Sequence, residues 1–363
     1  MQPYAEMIKS VKDYIRLPFV YEHWYVAGTG DEFTNKPVSK TLLNRSLVFY
    51  RTSGGDVAAM QNRCLHRSFP LSEGFLEGDN LVCRYHGIRY TPDGNIARIP
   101  CQSQTSDKKL RTYPTKELGP YVFIWMGDPD NVGPFPEMGH LADPNYRTIH
   151  DFMTLEGNYL LLMENLNDLT HFAYLHKETF PFDDAFMDLP TEVKVIDGRV
   201  WCERVDTTET ARSFVPPSFI QASEGKYVER RDGGMTLTPG IFLGNAPIIV
   251  GEEGDPDRRA FNQRIAHYVT PETETTSHYW WSMSLDFEQD NDPFFEVMKP
   301  HLGKGFDEDK WAIQHMQKLL DNDKIEFDEM IIAGDQAGLL FRRVMLKWVQ
   351  AEYGDAPAEL EPA

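Results

Sequence analysis

The sequence predicts an α+β fold: an N-terminal all-β unit, then a unit in which a curved antiparallel sheet packs with helices. Three observations carry this. Short alternating apolar runs ("SLVFYRT", "NIARIP", "YVFIWMG") fill residues 24–126, between turn clusters such as Ser53-Gly54-Gly55-Asp56 and Pro92-Asp93-Gly94-Asn95. A proline- and glycine-rich segment, "GDPDNVGPFPEMGHLADPN", interrupts the pattern near 127–145. Beyond it, strand and helix signals fall in separate blocks, which is the α+β signature. The predicted domains are 1–140, including an N-terminal helix, and 141–363.

In chain order, the first twenty residues hold one amphipathic stretch, interrupted by Lys9, Lys12 and Asp13. The β-rich unit and the loose segment follow. A helical stretch is expected over 156–176, a strand-rich region over 190–287 and helical periodicity over 306–350. Within the strand-rich region, "AHYVTPETETTSHYWWSMSLDF" alternates as a strand pair around a threonine-rich turn. The last ten residues, "GDAPAELEPA", read as a frayed tail, and no internal repeat is visible.

A net charge of -20 on 363 residues excludes non-specific binding to nucleic acid or an anionic membrane, both of which require a basic surface. The N-terminus lacks the basic start and unbroken apolar run of a secretory signal. Runs such as "YVFIWM" are far shorter than the ~20 residues of a membrane-spanning helix. A cytoplasmic protein is therefore expected. Four cysteines make no disulfide framework at this length, and two of them stand beside histidines, which points to metal or catalysis.

Those two begin the first constellation, Cys64-x-His66 and, after sixteen intervening residues, Cys83-x-x-His86. Each loop offers one thiolate and one imidazole. Structural zinc is one reading, although zinc fingers usually keep Cys with Cys and His with His. The other is a two-iron cluster with Cys64 and Cys83 on one iron and His66 and His86 on the other. The four residues resemble the Rieske [2Fe–2S] motif, with "RIPCQ" at 98–102 where that domain has its covering loop. Cys101 and Cys202 read as ordinary buried thiols. Arg63, Arg67, Arg84 and Arg89 flank the ligands, either as a basic patch for an acidic electron donor or as loop residues paired with acids such as Glu73 and Glu77.

The second constellation is "ENLNDLTHFAYLH", residues 164–176. His171 and His176 lie five residues apart, about 140° around an ideal helix, so both reach one metal only if the helix ends, bulges or unwinds between them. A third ligand must come from elsewhere, and Asp307, Glu308 and Asp309 compete in "GFDEDKWAIQHMQKLL". On a helix Asp309 shares a stripe with Ile313, Met316 and Leu320, so it is the acid expected to face inward. Asp307 and Glu308 fit the bland role of acids at a helix N-terminus.

The pattern Glu164-x3-Asp168-x2-His171-x4-His176 resembles the mononuclear iron motif of the Rieske non-haem iron oxygenases, in their vanillate demethylase and dicamba monooxygenase branch. The resemblance runs along nearly the whole chain, and the stretch around "EDK" also selects Asp309. It implies a helix-grip, START-like catalytic domain and an Fe(II) held by His171, His176 and Asp309, leaving positions open for O2 as cosubstrate. It implies that Asp168 links His171 to His86 of a neighbouring subunit in a head-to-tail ring, a homotrimer or a dimer of trimers. Asn165 assists, and Glu164 is a structural acid. It implies polar substrate contacts at His267 and Asn165, and for His267 a ligand-free sheet histidine is the alternative. Arg204, Arg212, Arg230 and Arg231 are possible carboxylate partners, while Phe242, Trp280, Trp281 and Met283 line the pocket or fill the core. The implied protein is the terminal oxygenase of a multicomponent system. It takes electrons from a ferredoxin or ferredoxin reductase, ultimately from NAD(P)H, and acts on a small aromatic substrate. O-demethylation of a methoxylated aromatic acid is expected, with ring hydroxylation or dioxygenation and N-demethylation as the neighbouring readings. An electron carrier fused to a non-catalytic ligand-binding domain is the reading from another class.

Overall fold

The computed structural model describes residues 10–180, 182–207, 217–325, 327 and 329–354. The candidate Arg212 and most of the expected C-terminal tail lie outside them. The chain divides into two compact units, one of residues 21–135 with 270–273, the other built from the remainder. The described N-terminal segment, with helix α1 (Val11–Tyr14) capped by Ser10, belongs to the second unit and not, as expected, to the β-rich one. Its own contacts show why. Tyr14 is fully buried with its ring 6.4 Å from that of Phe341, and the Ile15 carbonyl accepts from Asn158 Nδ2 at 2.9 Å.

The first unit contains ten short strands: β1 (Trp24–Thr29), β2 (Val38–Leu42), β3 (Arg45–Arg51), β4 (Val57–Gln61), β5 (Phe75–Glu77), β6 (Asn80–Val82), β7 (Arg89–Tyr90), β8 (Ile96–Arg98), β9 (Thr115–Leu118) and β10 (Tyr121–Trp125). They form three antiparallel sheets, ordered β1-β10-β9, β2-β3-β4 and β5-β6-β7-β8. Leu43 and Asn44 join β2 to β3 with positive φ at both positions, 49° and 59°, which suits the twist of a two-residue hairpin. Cys64 and Cys83 sit in the hydrophobic core with Val48, Tyr50, Met60 and Tyr90.

In the second unit, β11 (Arg147–Leu155) leads to helices α2 (Tyr159–Leu166), α3 (Phe172–Leu175) and α4 (Asp184–Met187). Next come β12 (Thr191–Ile196), β13 (Arg199–Asp206), α5 (Pro217–Ser223), β14 (Val228–Thr238), β15 (Ile241–Asn245), β16 (Ile248–Val250), β17 (Arg259–Phe261), β18 (Gln263–Pro271) and β19 (Ser277–Leu285). Helices α6 (Asp292–Asn322) and α7 (Gln336–Tyr353) follow. The main path of the sheet runs β11-β19-β18-β15-β14-β13-β12, with β16 on β14 and β17 on β16.

Two elements depart from expectation. Strand β11 is barely buried before Leu155, so it lacks the period-two signal that marks strands. Helix α6 starts fourteen residues before the expected 306, capped by Asn291 and running through Pro300, a residue that usually ends a helix. Burial of Phe295, Met298 and Leu302 holds that first half. No helix among the described residues is long and apolar enough to cross a membrane.

Candidate active site

The first cluster is built from two matching turns. The Ser68 N–H donates to the Cys64 carbonyl at 3.0 Å and Gly87 N–H to the Cys83 carbonyl at 2.8 Å, with Ser68 and Gly87 both at positive φ, 57° and 72°. Each five-residue turn places its cysteine inward and its histidine outward: Cys64 and Cys83 are buried, His66 and His86 exposed. The two imidazoles meet, Nδ1 to Nδ1 at 3.2 Å. Two buried thiols and two surface imidazoles suit a two-iron cluster ligated two and two. Tyr90 supports it from behind. Its hydroxyl lies 3.2 Å from Cys64 Sγ and accepts from Leu65 N–H at 3.1 Å. Burial pushes the Cys83 thiol up, and N–H groups of Tyr85 and His86 donating towards its sulfur act the other way. A Cβ on Gly87 would stand 3.2 Å from Pro100, so the 98–102 loop does approach the turn.

One expectation around this cluster changes, and one open alternative is narrowed. Cys101 is exposed at φ 65°, because the left-handed turn after Pro100 directs it outward. Arg89 pairs with Glu77 at 2.6 Å and Arg63 donates to Ser68 Oγ at 2.8 Å, so those two serve the loops. Arg67 and Arg84 are exposed.

The second cluster forms where helix α2 stops. Asn167 accepts from Thr236 Oγ1 at 3.0 Å and donates to the Met163 carbonyl at 2.7 Å, while Asp168 Oδ1 accepts from the Thr170 N–H at 2.6 Å. These local bonds compete with continued helix. The break therefore precedes His171, not between the histidines as expected. His171 and His176 are the two caps of the single turn α3, and their ring centroids stand 5.0 Å apart.

From α6, Asp309 meets both: its Oδ1 lies 3.5 Å from His171 Nε2 and 3.3 Å from His176 Nε2. The three ligand atoms lie within 4.8 Å of one another. Asp309 is 3 % exposed, yet Oδ1 makes no hydrogen bond to a described residue. A buried carboxylate oxygen at these distances without hydrogen-bond geometry fits a metal centre. The opposite ring nitrogens face carboxylates, His176 Nδ1 at 2.9 Å from Glu308 Oε2 and His171 Nδ1 at 3.6 Å from Asp168 Oδ2, the latter too long for a hydrogen bond. Burial works to lower the His176 pKa, but Asp309 and Glu308 outweigh it and raise it.

Glu308 is the residue that sequence reasoning misplaced. It lies mid-helix, holding His176 and accepting from Thr179 Oγ1 at 2.5 Å. Asp309 faces inward as expected, but its stripe differs from the expected one. Ile313 is buried with it, but Met316 is exposed and Gln317 takes the next inward place.

The triad opens into a cavity walled by Phe172, Phe180, Phe182, Phe242, Phe306 and Met283. His267 lines it, accepts or donates through Nδ1 to Tyr279 at 2.7 Å, and is held down to about 4 by burial, against the pull of Asp309. Trp280 and Trp281 fill the core instead. Asn165 does not line the cavity; it stays on α2 with Oδ1 unpaired among the described residues. Glu164 is bound by Arg342 through two bonds of 2.8 and 2.6 Å, a structural acid. Of the candidate arginines, Arg204 is buried against Thr191, Arg231 is held by Glu203 and Glu229, and Arg230 lines the cavity.

Comparison with known proteins matches both halves. Residues 23–114 fit the Rieske [2Fe-2S] domain, and residues 155–351 the vanillate O-demethylase oxygenase C-terminal domain. The putative toluene-4-sulfonate monooxygenase system iron-sulfur subunit of Comamonas testosteroni is 32% identical over 91% of this chain and 97% of its own. The oxygenase component of dicamba O-demethylase from Stenotrophomonas maltophilia is 30% identical over 83% and 89%. The crystal structure of dicamba monooxygenase bound to 3,6 dichlorosalicylic acid superposes with a TM-score of 0.80 at 30% identity, covering 92% of this chain and 99% of that one. With both domains matched and relatives at 30% identity or more over most of the chain, the chain belongs to the Rieske non-haem iron oxygenases, as an oxygenase component of the vanillate O-demethylase type.

Proposed function

We propose that this oxygenase monooxygenates a small aromatic substrate and removes the methyl group of a methoxylated aromatic acid. The observation that supports it is the placement of His171, His176 and Asp309 at one end of a cavity walled by phenylalanines. When bound, the [2Fe–2S] cluster and the mononuclear iron supply stored electrons and dioxygen activation. Cys64, His66, Cys83 and His86 would hold the first, and His171, His176 and Asp309 the second. Glu308 fixes the His176 tautomer by accepting from Nδ1–H, so that Nε2 faces inward. The phenylalanines orient the ring and exclude water. One oxygen atom enters a methoxy C–H bond and the other leaves as water, using two electrons and two protons. The resulting hemiacetal breaks into formaldehyde and a phenol.

The partners follow from the same reading. A ferredoxin or ferredoxin reductase supplies the electrons. Copies of the chain form a ring, a homotrimer, in which Asp168 serves His171 and the His86 of a neighbour. The apolar side chains left exposed from α6 onwards, among them Leu319, Phe327 and Met330, support an interface between copies. An electron carrier with a non-catalytic domain is the weaker reading, since such a domain has no use for an inward carboxylate at the histidine turn.

The test is turnover of methoxybenzoates with a reductase and O2. Formaldehyde equimolar with O2 consumed is expected. Hydroxylated product with the methoxy group retained would replace demethylation by ring hydroxylation. Unchanged turnover in Asp309→Ala would sink the iron assignment.

A further inference from the structure

The cavity wall is apolar except at the triad, His267, Gln263 and one ion pair. That pair is Arg230 and Asp232, two residues apart on β14 and therefore on the same face of the sheet. Arg230 Nε donates to both carboxylate oxygens of Asp232, at 3.0 and 2.9 Å. The neighbouring strand continues the pattern. In register, Asp206 of β13 stands opposite Arg230 and Arg204 opposite Asp232. All four are buried, none more than 8% exposed, and their signs alternate around a square.

A buried charge square is an expensive way to build a wall, because apolar side chains of similar volume would fill it without desolvating ions. Only one edge of the square, Arg230 with Asp232, reaches the cavity. Among the described residues of the wall, Arg230 is the single arginine or lysine. Its guanidinium packs 5.0 Å from the Phe182 ring centroid, which keeps the plane of the fork beside a surface that suits an aromatic ring. A planar fork next to an aromatic wall fits an oxyanion carried on an aromatic ring.

We propose that Arg230 reads a carboxylate or sulfonate on the aromatic substrate, and that Asp232 steadies the guanidinium until the anion arrives and then takes up one proton. The inference rests on the aromatic-acid reading above and names the residues that enforce it. The proton keeps the four-residue square neutral. The square is neutral before binding, and an added anion would leave three negative groups against two arginines. One proton from solvent, bound as O–H on Asp232, restores neutrality, and no other bond is made or broken. Asp232 is poised for it: burial pushes its pKa up, Arg230 and Arg204 pull it down, and Asp206 pushes it up. An anion sharing Arg230 weakens that pull. Asp168 also acts on Arg204 and adds a further negative charge on that side, and among the described residues of the wall His267 remains neutral near pH 7, so neither supplies a cation in place of the proton.

Calorimetric titration of the iron-loaded full chain tests this, with 3-methoxybenzoate, 4-methylbenzenesulfonate and the neutral 3-methoxybenzamide in two buffers of different ionisation heat. The acids are expected to bind with uptake of about one proton and to weaken about tenfold per pH unit where that uptake is complete. The amide is expected to bind about 30-fold or more weakly, with no uptake. The two acid arms show whether carboxylate, sulfonate or both are accepted. Arg230→Gln should lose about 30-fold for the acids and so remove most of the preference for acid over amide, and Arg230→Lys should restore part of the loss. Asp232→Asn should bind the acids without proton uptake. If Arg230→Gln fails to fold, the wild-type preference and proton count decide alone. Equal binding of acid and amide, acid binding without proton uptake in the wild type, or acid binding retained in folded Arg230→Gln would overturn the inference. Formaldehyde release from methoxybenzoate alongside any of those results would leave the parent reading standing. Failure of all three probes to bind or turn over would overturn both.

Discussion

Tyr90 shows how one hydroxyl can serve fold and redox chemistry together. It is buried, it accepts from the Leu65 N–H, and it sits at hydrogen-bond distance from Cys64 Sγ. A donor to a ligand sulfur favours the reduced, more negative cluster. Tyr90→Phe is therefore expected to lower the cluster midpoint potential by about 60 mV, the equivalent of one ordinary hydrogen bond in a one-electron couple, as read by redox titration of the visible bands. Glu308 acts on the other centre. Glu308→Gln keeps the shape but loses the charge behind His176, so iron affinity should fall about 10- to 100-fold in chelator competition. The [2Fe–2S] absorption should stay unchanged, and a parallel loss of those bands would mean that the substitution damages more than the iron site.

At the scale of elements, the break after α2 carries the site. Asn158 starts that helix and Asn167 ends it. Asn158 accepts from Leu160 N–H at 2.8 Å and donates to the carbonyls of Ile15 and Glu274, at 2.9 and 2.7 Å, all within one buried residue. Asn158→Ala should cost about 2 kcal/mol or more, a lost cap plus stranded carbonyls, seen as a lower urea midpoint at unchanged slope. The position of the break was not legible. A five-residue histidine spacing demands an irregularity, but Asn167, Asp168 and Thr170 choose its place through partners that include Thr236 on β14. Helix α6 teaches the same lesson in reverse, since Pro300 argues locally for an end that packing of Phe295 and Leu302 overrides.

For the molecule as a whole, acid is the expected weakness. Burial, helped by Arg264, pushes His140 down to about 4, and burial pushes His267 down to about 4. Both lie below the ordinary ~6.5 of an unfolded histidine. Above ~6.5 both states are neutral and the fold keeps its full stability; as pH falls towards about 4, only the unfolded chain gains these protons, and stability drops. The urea midpoint should fall between pH 7 and pH 5, and His140→Gln should flatten part of that slope. A midpoint independent of pH over that window would refute the assignment.

By itself, the sequence determined the family of this protein and the two iron cofactors that go with it. Short-range spacing suffices to single out Cys64-x-His66, Cys83-x-x-His86 and the histidine pair, because a short turn brings its own side chains together wherever it is placed. The α+β order was legible for a similar reason, since alternation and turn residues are local signals. What the tertiary structure decided was which distant groups meet. Asp309 was already the acid that the sequence put inward, but only the packing of α6 against the histidine turn gave Glu308 to His176. Arg230 was one of four equal arginines until β13 and β14 paired in a register that faces it into the cavity with Asp232. Strand register and helix rotation are properties of packing, and a shift of one residue reverses which side chains look inward.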